Sequence, residues 1–224
     1  MPATEHQLGR LAGRGAVTAE PRPRLAILFD AANDRRGARR ETIEALLDAW
    51  LGRPVTIDHR PDGSPFLPAA PDAHVSLSHA TGATALALHD RSIGIDISEI
   101  EPVGADAAVA KELFSQAEQA WLSSLDADAR PAGFAQLWTL KEAVLKCRRR
   151  GLGVEGLPDV SDFTPWLNPT GQPDRTLWQS WRGLEMATPR SPFRLLGGEQ
   201  LMAEVASIGA RRFAIASAWA REPV

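Results

Sequence analysis

The chain has 224 residues, 44% hydrophobic and 24% charged, which is enough for one sizeable core or two fused small ones and too apolar for wholesale disorder. Its 25 basic and 28 acidic residues leave a formal net charge of −3, removing the global electrostatic case for nucleic-acid or acidic-membrane binding. The single cysteine, Cys147, excludes an internal disulfide framework, and no apolar run approaches the roughly 20 residues of a membrane span.

Residues 1–22 are rich in Gly, Ala, Pro and Arg without apolar periodicity; they are expected to form a poorly anchored leader. This leader lacks the apolar core of a secretory signal, so the chain is expected to be cytoplasmic. RLAILFD (Arg24 to Asp30) is a continuous apolar run that suits a buried strand. From Arg39 to Leu51, Ile43, Leu46, Leu47 and Trp50 recur at helical spacing. VTIDHR alternates like a strand, PDGSPFLPAAP is a turn-rich connection, and HVSLSHATG, ATALALHD and SIGIDISEI read as short strands. From Ala107 the period becomes helical, with an interruption near Ser115. A longer helix runs from about Pro131 to Arg149, with Gly151 and Gly153 as its stop signal. Thr176 to Trp181, Gln200 to Ser207 and Arg211 to Trp219 are candidate strands. Helices and strands are grouped rather than strictly alternating, which favours an α+β fold.

Three segments carry the chemistry. In SIGIDISEIEP, strand alternation puts Asp96 and Ser98 on one face and Ile95, Ile97 and Glu99 on the other. An aspartate between two isoleucines needs a partner; it either caps a turn or ligates a hard cation such as Mg²⁺. In LWTLKEAVLK, Trp138, Glu142 and Lys146 are spaced i, i+4, i+8 and form one stripe. The stripe is either a solvated Glu–Lys pair beside a core tryptophan, or a carboxylate and an ammonium suited to a metal-bound pyrophosphate. The chain has only three lysines, Lys111, Lys141 and Lys146, and two of them lie in this segment. In VSLSHATG, Ser78 and His79 point to opposite faces, so they make a poor nucleophile–base couple. Phosphate or nucleotide contact suits them better. No P-loop or H-E-x-x-H accompanies these segments.

With PDAHVSLSHATG, GID at Gly94 to Asp96, FSQAEQAWL and LWTLKEAVLK in this order, the chain resembles the surfactin-type 4′-phosphopantetheinyl transferases, from roughly Arg24 to Leu152. The resemblance implies an α+β pseudo-dimer of two similar halves, 23–102 and 103–224, with the active site in the cleft between them. It implies transfer of the phosphopantetheine arm of coenzyme A to a serine of an acyl or peptidyl carrier protein, with release of adenosine 3′,5′-bisphosphate and Mg²⁺ as cofactor. Carried over by position, Asp96 and Glu142 are implied metal carboxylates. Lys146 is the implied contact of the transferred phosphate and an implied aid to proton transfer. Ser78 and His79 are implied holders of the 3′-phosphate side of coenzyme A, and Arg40 an implied nucleotide contact, with Arg39 as competitor.

Three departures stand out. Ser98 occupies the place of a third carboxylate and would reach a metal through water. Ser64 stands where the family often has a phosphate-contacting lysine, a role Arg60 could take only if the loop permits. Arg149 replaces a glycine after the lysine helix. The expected protein is a monomeric, cytoplasmic enzyme that binds neither nucleic acid nor membrane. Apolar residues from Phe114 to Leu125 are read either as core or as a carrier-docking surface. The rivals are a non-catalytic relative that binds carrier proteins or coenzyme A, and a metal-dependent phosphatase or nucleotidase.

Overall fold

Alternation along the strands sorts the apolar side chains into three clusters, and these clusters set the layers of the fold. The computed structural model describes residues 23–29, 36–100, 106–149, 156–167, 178–181, 184–187, 194–196, 199–208 and 211–220. The leader over 1–22, the glycine stop at Gly151 and Gly153, and the start of the strand expected at Thr176 lie outside the described residues.

The elements in chain order are β1 (Arg24–Phe29), α1 (Arg36–Leu51), β2 (Asp58–His59), β3 (Pro65–Phe66), β4 (His74–Ala80), β5 (Ala83–His89) and β6 (Ile93–Glu99). Then come α2 (Asp106–Leu113), α3 (Gln116–Ser124), α4 (Arg130–Arg148) and a short 3-10 helix (Ser161–Trp166). β7 (Trp178–Trp181), β8 (Leu184–Ala187), β9 (Arg194–Leu196), β10 (Glu199–Ile208) and β11 (Arg211–Ala220) close the described chain. One sheet has the order β4-β5-β1-β8-β7, a second has β6-β11-β10-β9, and β2 and β3 form a separate hairpin. Every strand pairing among the described residues is antiparallel, in keeping with the expected α+β class.

The first cluster lies between the two large sheets. It joins Leu25 and Ile27 of β1 to Ile93, Ile95 and Ile97 of β6 and to Phe213, Ile215 and Trp219 of β11. The second packs Ala216 and Ala218 of β11 against Leu137, Leu140 and Val144 of α4. The third packs Ala26 and Leu28 of β1 against Ile43, Leu46 and Leu47 of α1. The result is helix, sheet, sheet, helix, and each fully buried Leu or Ile contributes roughly 1.5–3 kcal/mol.

Two local differences from the sequence expectation have clear causes. Only Asp58 and His59 of VTIDHR form a strand. The preceding N–H groups are taken by α1: Val55 N donates to Asp48 Oδ1 at 2.6 Å and Ile57 N to Glu44 Oε1 at 2.9 Å. Side-chain carboxylates thus replace a neighbouring strand. Helix α4 stops at Arg148, capped by Arg149 in the left-handed conformation with φ 53°. The interruption near Ser115 is the N-cap of α3, where a capping box with Glu118 satisfies two terminal N–H groups.

Candidate functional site

The site forms where the edge strands of the two large sheets, β4 and β6, come side by side under α4. In β4, His74, Ser76 and Ser78 alternate with Val75 and Leu77. The apolar pair packs in the cluster that carries α1, so the polar set faces the other way. β6 is an edge strand, and its outward backbone groups need partners. Ser76 Oγ accepts from Ile95 N at 3.1 Å, and Lys146 Nζ donates to Ile95 O at 3.2 Å. Both free groups of Ile95 are thereby satisfied by side chains.

Asp96 is buried beside this junction, 7% exposed. Its Oδ1 accepts from Ser78 Oγ at 2.6 Å and from Lys146 Nζ at 2.6 Å, the latter an ion pair. Glu142, one helical turn before Lys146, is half-buried on α4. Burial raises its carboxyl above the usual range, the Asp96 carboxylate raises it further, and the Lys146 ammonium opposes both. The strand-borne acid and the helix-borne acid therefore lie within electrostatic reach of one another, on the same side of the molecule. Two mutually repelling carboxylates can share a cation, a proton or a lysine, and here Lys146 already serves Asp96.

Close packing of α4 on β6 makes this possible. A Cβ on Gly94 would lie 2.0 Å from Ala143 O and 2.5 Å from Cys147 N, so only glycine lets the helix backbone come so near. Ser92 Oγ donates to Cys147 O, tying the same helix turn to the start of β6. Cys147 is buried, and burial pushes its thiol up to about 12, so it is no nucleophile.

The other expected residues are distributed differently. Ser98 lies at the open end of β6 with Glu99, His79, Thr81 and Phe134 around a cavity of about 380 Å³. Glu99, expected to face away, lines this cavity too. His79 is exposed, and its Nδ1 pairs with Thr84 Oγ1 at 2.9 Å, while Ser78 turns inward to Asp96. The two neighbours thus serve different surroundings. Arg40 is on α1, where it donates to Glu44 Oε1 at 3.0 Å and to Ile57 O at 2.6 Å. Among the described residues, no group of three or more His, Cys, Asp or Glu is placed to hold a metal ion. Of the apolar residues from Phe114 to Leu125, Phe114 and Leu122 are core, whereas the neighbouring Leu113 is 40% exposed.

Three features escaped the sequence reading. Lys141, the other lysine of the helix, is fully buried. It pairs with Glu118 at 2.7 Å and donates to Pro158 O at 2.6 Å. Glu118 also accepts from Val160 N at 2.7 Å, so this pair clamps α3, α4 and the 158–160 segment together. The second feature is the polar stripe His74, Ser76, Ser78, whose period-two spacing was the available signal. The third is residues 151–156, which read GLGVEG and have the spacing of a dinucleotide-binding glycine fingerprint. They follow helix α4 rather than a strand, and that fingerprint requires the strand. No helix among the described residues is long and apolar enough to cross a membrane.

Comparison with known proteins covers the part of the chain in which these residues lie. Residues 92–191, which include Asp96, Glu142 and Lys146, match the family model for the 4′-phosphopantetheinyl transferase superfamily. The chain is 36% identical over 111 residues to the 4′-phosphopantetheinyl transferase psf-1 of Bacillus pumilus, covering 50% of this chain and 45% of that protein. It is 34% identical over 110 residues to the 4′-phosphopantetheinyl transferase Sfp of Bacillus subtilis (strain 168), covering 49% of this chain and 46% of that protein. A further 4′-phosphopantetheinyl transferase of Bacillus subtilis is 35% identical over 92 residues, or 40% of its length. The chain thus spans about half the length of the curated relatives it matches. Within that span, the resemblance to the surfactin-type branch of the superfamily is borne out.

Proposed function

We propose that this chain, which carries a 4′-phosphopantetheinyl transferase superfamily segment over residues 92–191, moves the 4′-phosphopantetheine arm of coenzyme A onto a serine of an acyl or peptidyl carrier protein. The observation that carries the reading is the meeting of Asp96, Glu142 and Lys146 at the β4–β6 junction inside the matched segment. In the reaction, the carrier serine oxygen forms a new bond to the phosphorus that bears pantetheine. The bond from that phosphorus to the bridging oxygen breaks, and adenosine 3′,5′-bisphosphate leaves with the electron pair. The serine proton needs an acceptor, and Glu142, whose carboxyl has a raised affinity for protons, supplies one. Lys146 neutralises charge on the phosphate, and Ser78 holds Asp96 in place.

Mg²⁺ fits the donor set. Mg²⁺ is commonly held by one or two carboxylates together with phosphate oxygens and waters, and the repulsion between Asp96 and Glu142 is the kind a cation relieves. Asp96 and Glu142 would hold it, Ser98 would reach it through water, and it would supply charge neutralisation at the diphosphate. Phosphoryl-type transfer depends mostly on positioning and electrostatics, so a short set of polar residues suffices. In this reading His79 and Arg40 meet the nucleotide part of coenzyme A. The chain works as a cytoplasmic monomer of two related halves, 23–102 and 103–224. Each half would lend a strand to the other's sheet, because β8 pairs with β1 and β6 with β11.

Incubating an apo carrier protein with coenzyme A, Mg²⁺ and the protein, then measuring the carrier's mass, tests the proposal. The expected result is a gain of one phosphopantetheine group. An unchanged carrier that still binds the protein would instead support a non-catalytic docking relative.

A further inference from the structure

β4 is an edge strand of one large sheet and β6 an edge strand of the other, and among the described residues no backbone pairing joins them. Side chains from one face of β4 make the link instead. His74 Nδ1 accepts from Arg149 Nη2 at 2.8 Å, Ser76 Oγ accepts from Ile95 N at 3.1 Å, and Ser78 Oγ donates to Asp96 Oδ1 at 2.6 Å. On the opposite face, Val75 and Leu77 pack in the cluster that carries α1, and Ser76 is in register with Ala87 of β5. β4 is therefore anchored from behind.

The Ser76 contact differs from a strand pairing in what it leaves over. A neighbouring strand would offer a carbonyl to Ile95 N and an N–H to Ile95 O, and so would take both groups. The Ser76 hydroxyl takes the N–H alone. Ile95 O stays open to Lys146, whose Nζ donates to it at 3.2 Å and to Asp96 Oδ1 at 2.6 Å. An ammonium carries three N–H donors, so fixing two of them on β6 sets the direction of the third. Ser76 and Ile95 are 4% and 1% exposed, and without the hydroxyl the Ile95 amide would be buried unpaired.

We propose that Ser76 is a positioning residue of the transfer site: it holds the edge of β6 at the spacing from β4 at which Lys146 meets Ile95 O and Asp96 together. The inference rests on the transferase reading. Ser76 acts through the Ile95 backbone and Lys146, and takes no part in holding coenzyme A. It sets where the ammonium stands as the bond to the bridging oxygen breaks, which is a matter of placement in the transition state. Without the hydroxyl, the edge of β6 shifts to find another partner for its amide, and Ile95 O moves away from Lys146 with it.

The test compares the wild type with Ser76→Ala, Ser76→Thr and Ser76→Val in carrier-protein transfer, with kcat and the KM for coenzyme A measured separately. Thr and Val share a shape and only Thr keeps the acceptor, so the packing cost of the added methyl is common to both. Ser76→Ala and Ser76→Val are expected to lower kcat by about tenfold with KM within about twofold of the wild type, and Ser76→Thr to keep most of the turnover. Amide exchange at Ile95, followed by NMR, is expected to quicken by about tenfold in the Ala and Val variants and not in the Thr variant. Wild-type kcat in Ser76→Val, equal turnover in the Thr and Val variants, or a raised KM with unchanged kcat overturns the proposal. Unchanged Ile95 exchange in Ser76→Ala overturns it independently of activity. An unmodified carrier with the wild type would count against the transferase reading instead, and Ile95 exchange then decides the contact by itself.

Discussion

Gly94 of β6 and Ala143 of α4 approach so closely that a Cβ on the glycine would stand 2.0 Å from the alanine carbonyl oxygen. The obstruction is helix backbone, which cannot swing aside as a side-chain tip can. Gly94→Ala must therefore lift α4 from β6, carrying Glu142 and Lys146 away from Asp96. The expected cost is about 1–3 kcal/mol or more, read from the denaturant midpoint, with loss of activity. A variant with wild-type midpoint and activity would show that this contact does not position the site.

In the proposed reaction, Glu142 trades stability for chemistry. Because its carboxyl is raised in the folded protein by burial and by Asp96, the ionised form opposes folding. The sign follows from proton linkage: the neutral form's advantage is fully present below the ordinary glutamate range and is lost as pH rises through the raised value. Glu142→Gln removes this penalty. The variant should be more stable than the wild type at neutral pH, with the difference shrinking towards acid, while its transfer activity disappears. Melting curves across pH check this, and a neutral-pH melting temperature below that of the wild type would contradict it.

The Lys141–Glu118 pair predicts an effect on stability. Both side chains are fully buried, so removing one leaves the other charge without its partner. Lys141→Met should cost roughly 3–5 kcal/mol. Adding Glu118→Gln should recover part of the loss, since an amide oxygen can still accept from Ser115 N and Val160 N. A loss within experimental error in the single variant would mean that the clamp contributes little.

Ser98 is two residues beyond Asp96 on β6, and its hydroxyl makes a long 3.5 Å contact to Glu99 O. Ser98→Glu should lower the Mg²⁺ concentration needed for half-maximal transfer while retaining turnover. Complete inactivation would place Ser98 away from the ion.

Much of this arrangement was readable in the sequence where one periodicity dominated. β4, β5, β6 and α4 lie close to their expected bounds because apolar alternation or helical spacing runs unbroken through them. Ser115 marked a helix start because its side chain has a capping role there. The short strands β8 and β9 offered no comparable run, and VTIDHR misled because carboxylates of α1 occupy its backbone donors. Asp96 and Glu142 stood out as candidates, but the hydrogen bond from Ser78 depends on two sheet edges meeting, which no local pattern encodes. The pairing of Lys141 with Glu118 and the return of Arg149 to His74 span 23 and 75 positions, and each depends on how α4 is seated.

The most direct test of the account is phosphopantetheine transfer to an apo carrier protein, followed by mass, for the wild type, Asp96→Asn and Glu142→Gln at saturating Mg²⁺ and coenzyme A. The account predicts a fully converted carrier with the wild type and an unmodified one with either variant, both variants remaining folded by circular dichroism. Wild-type turnover in either variant would contradict it.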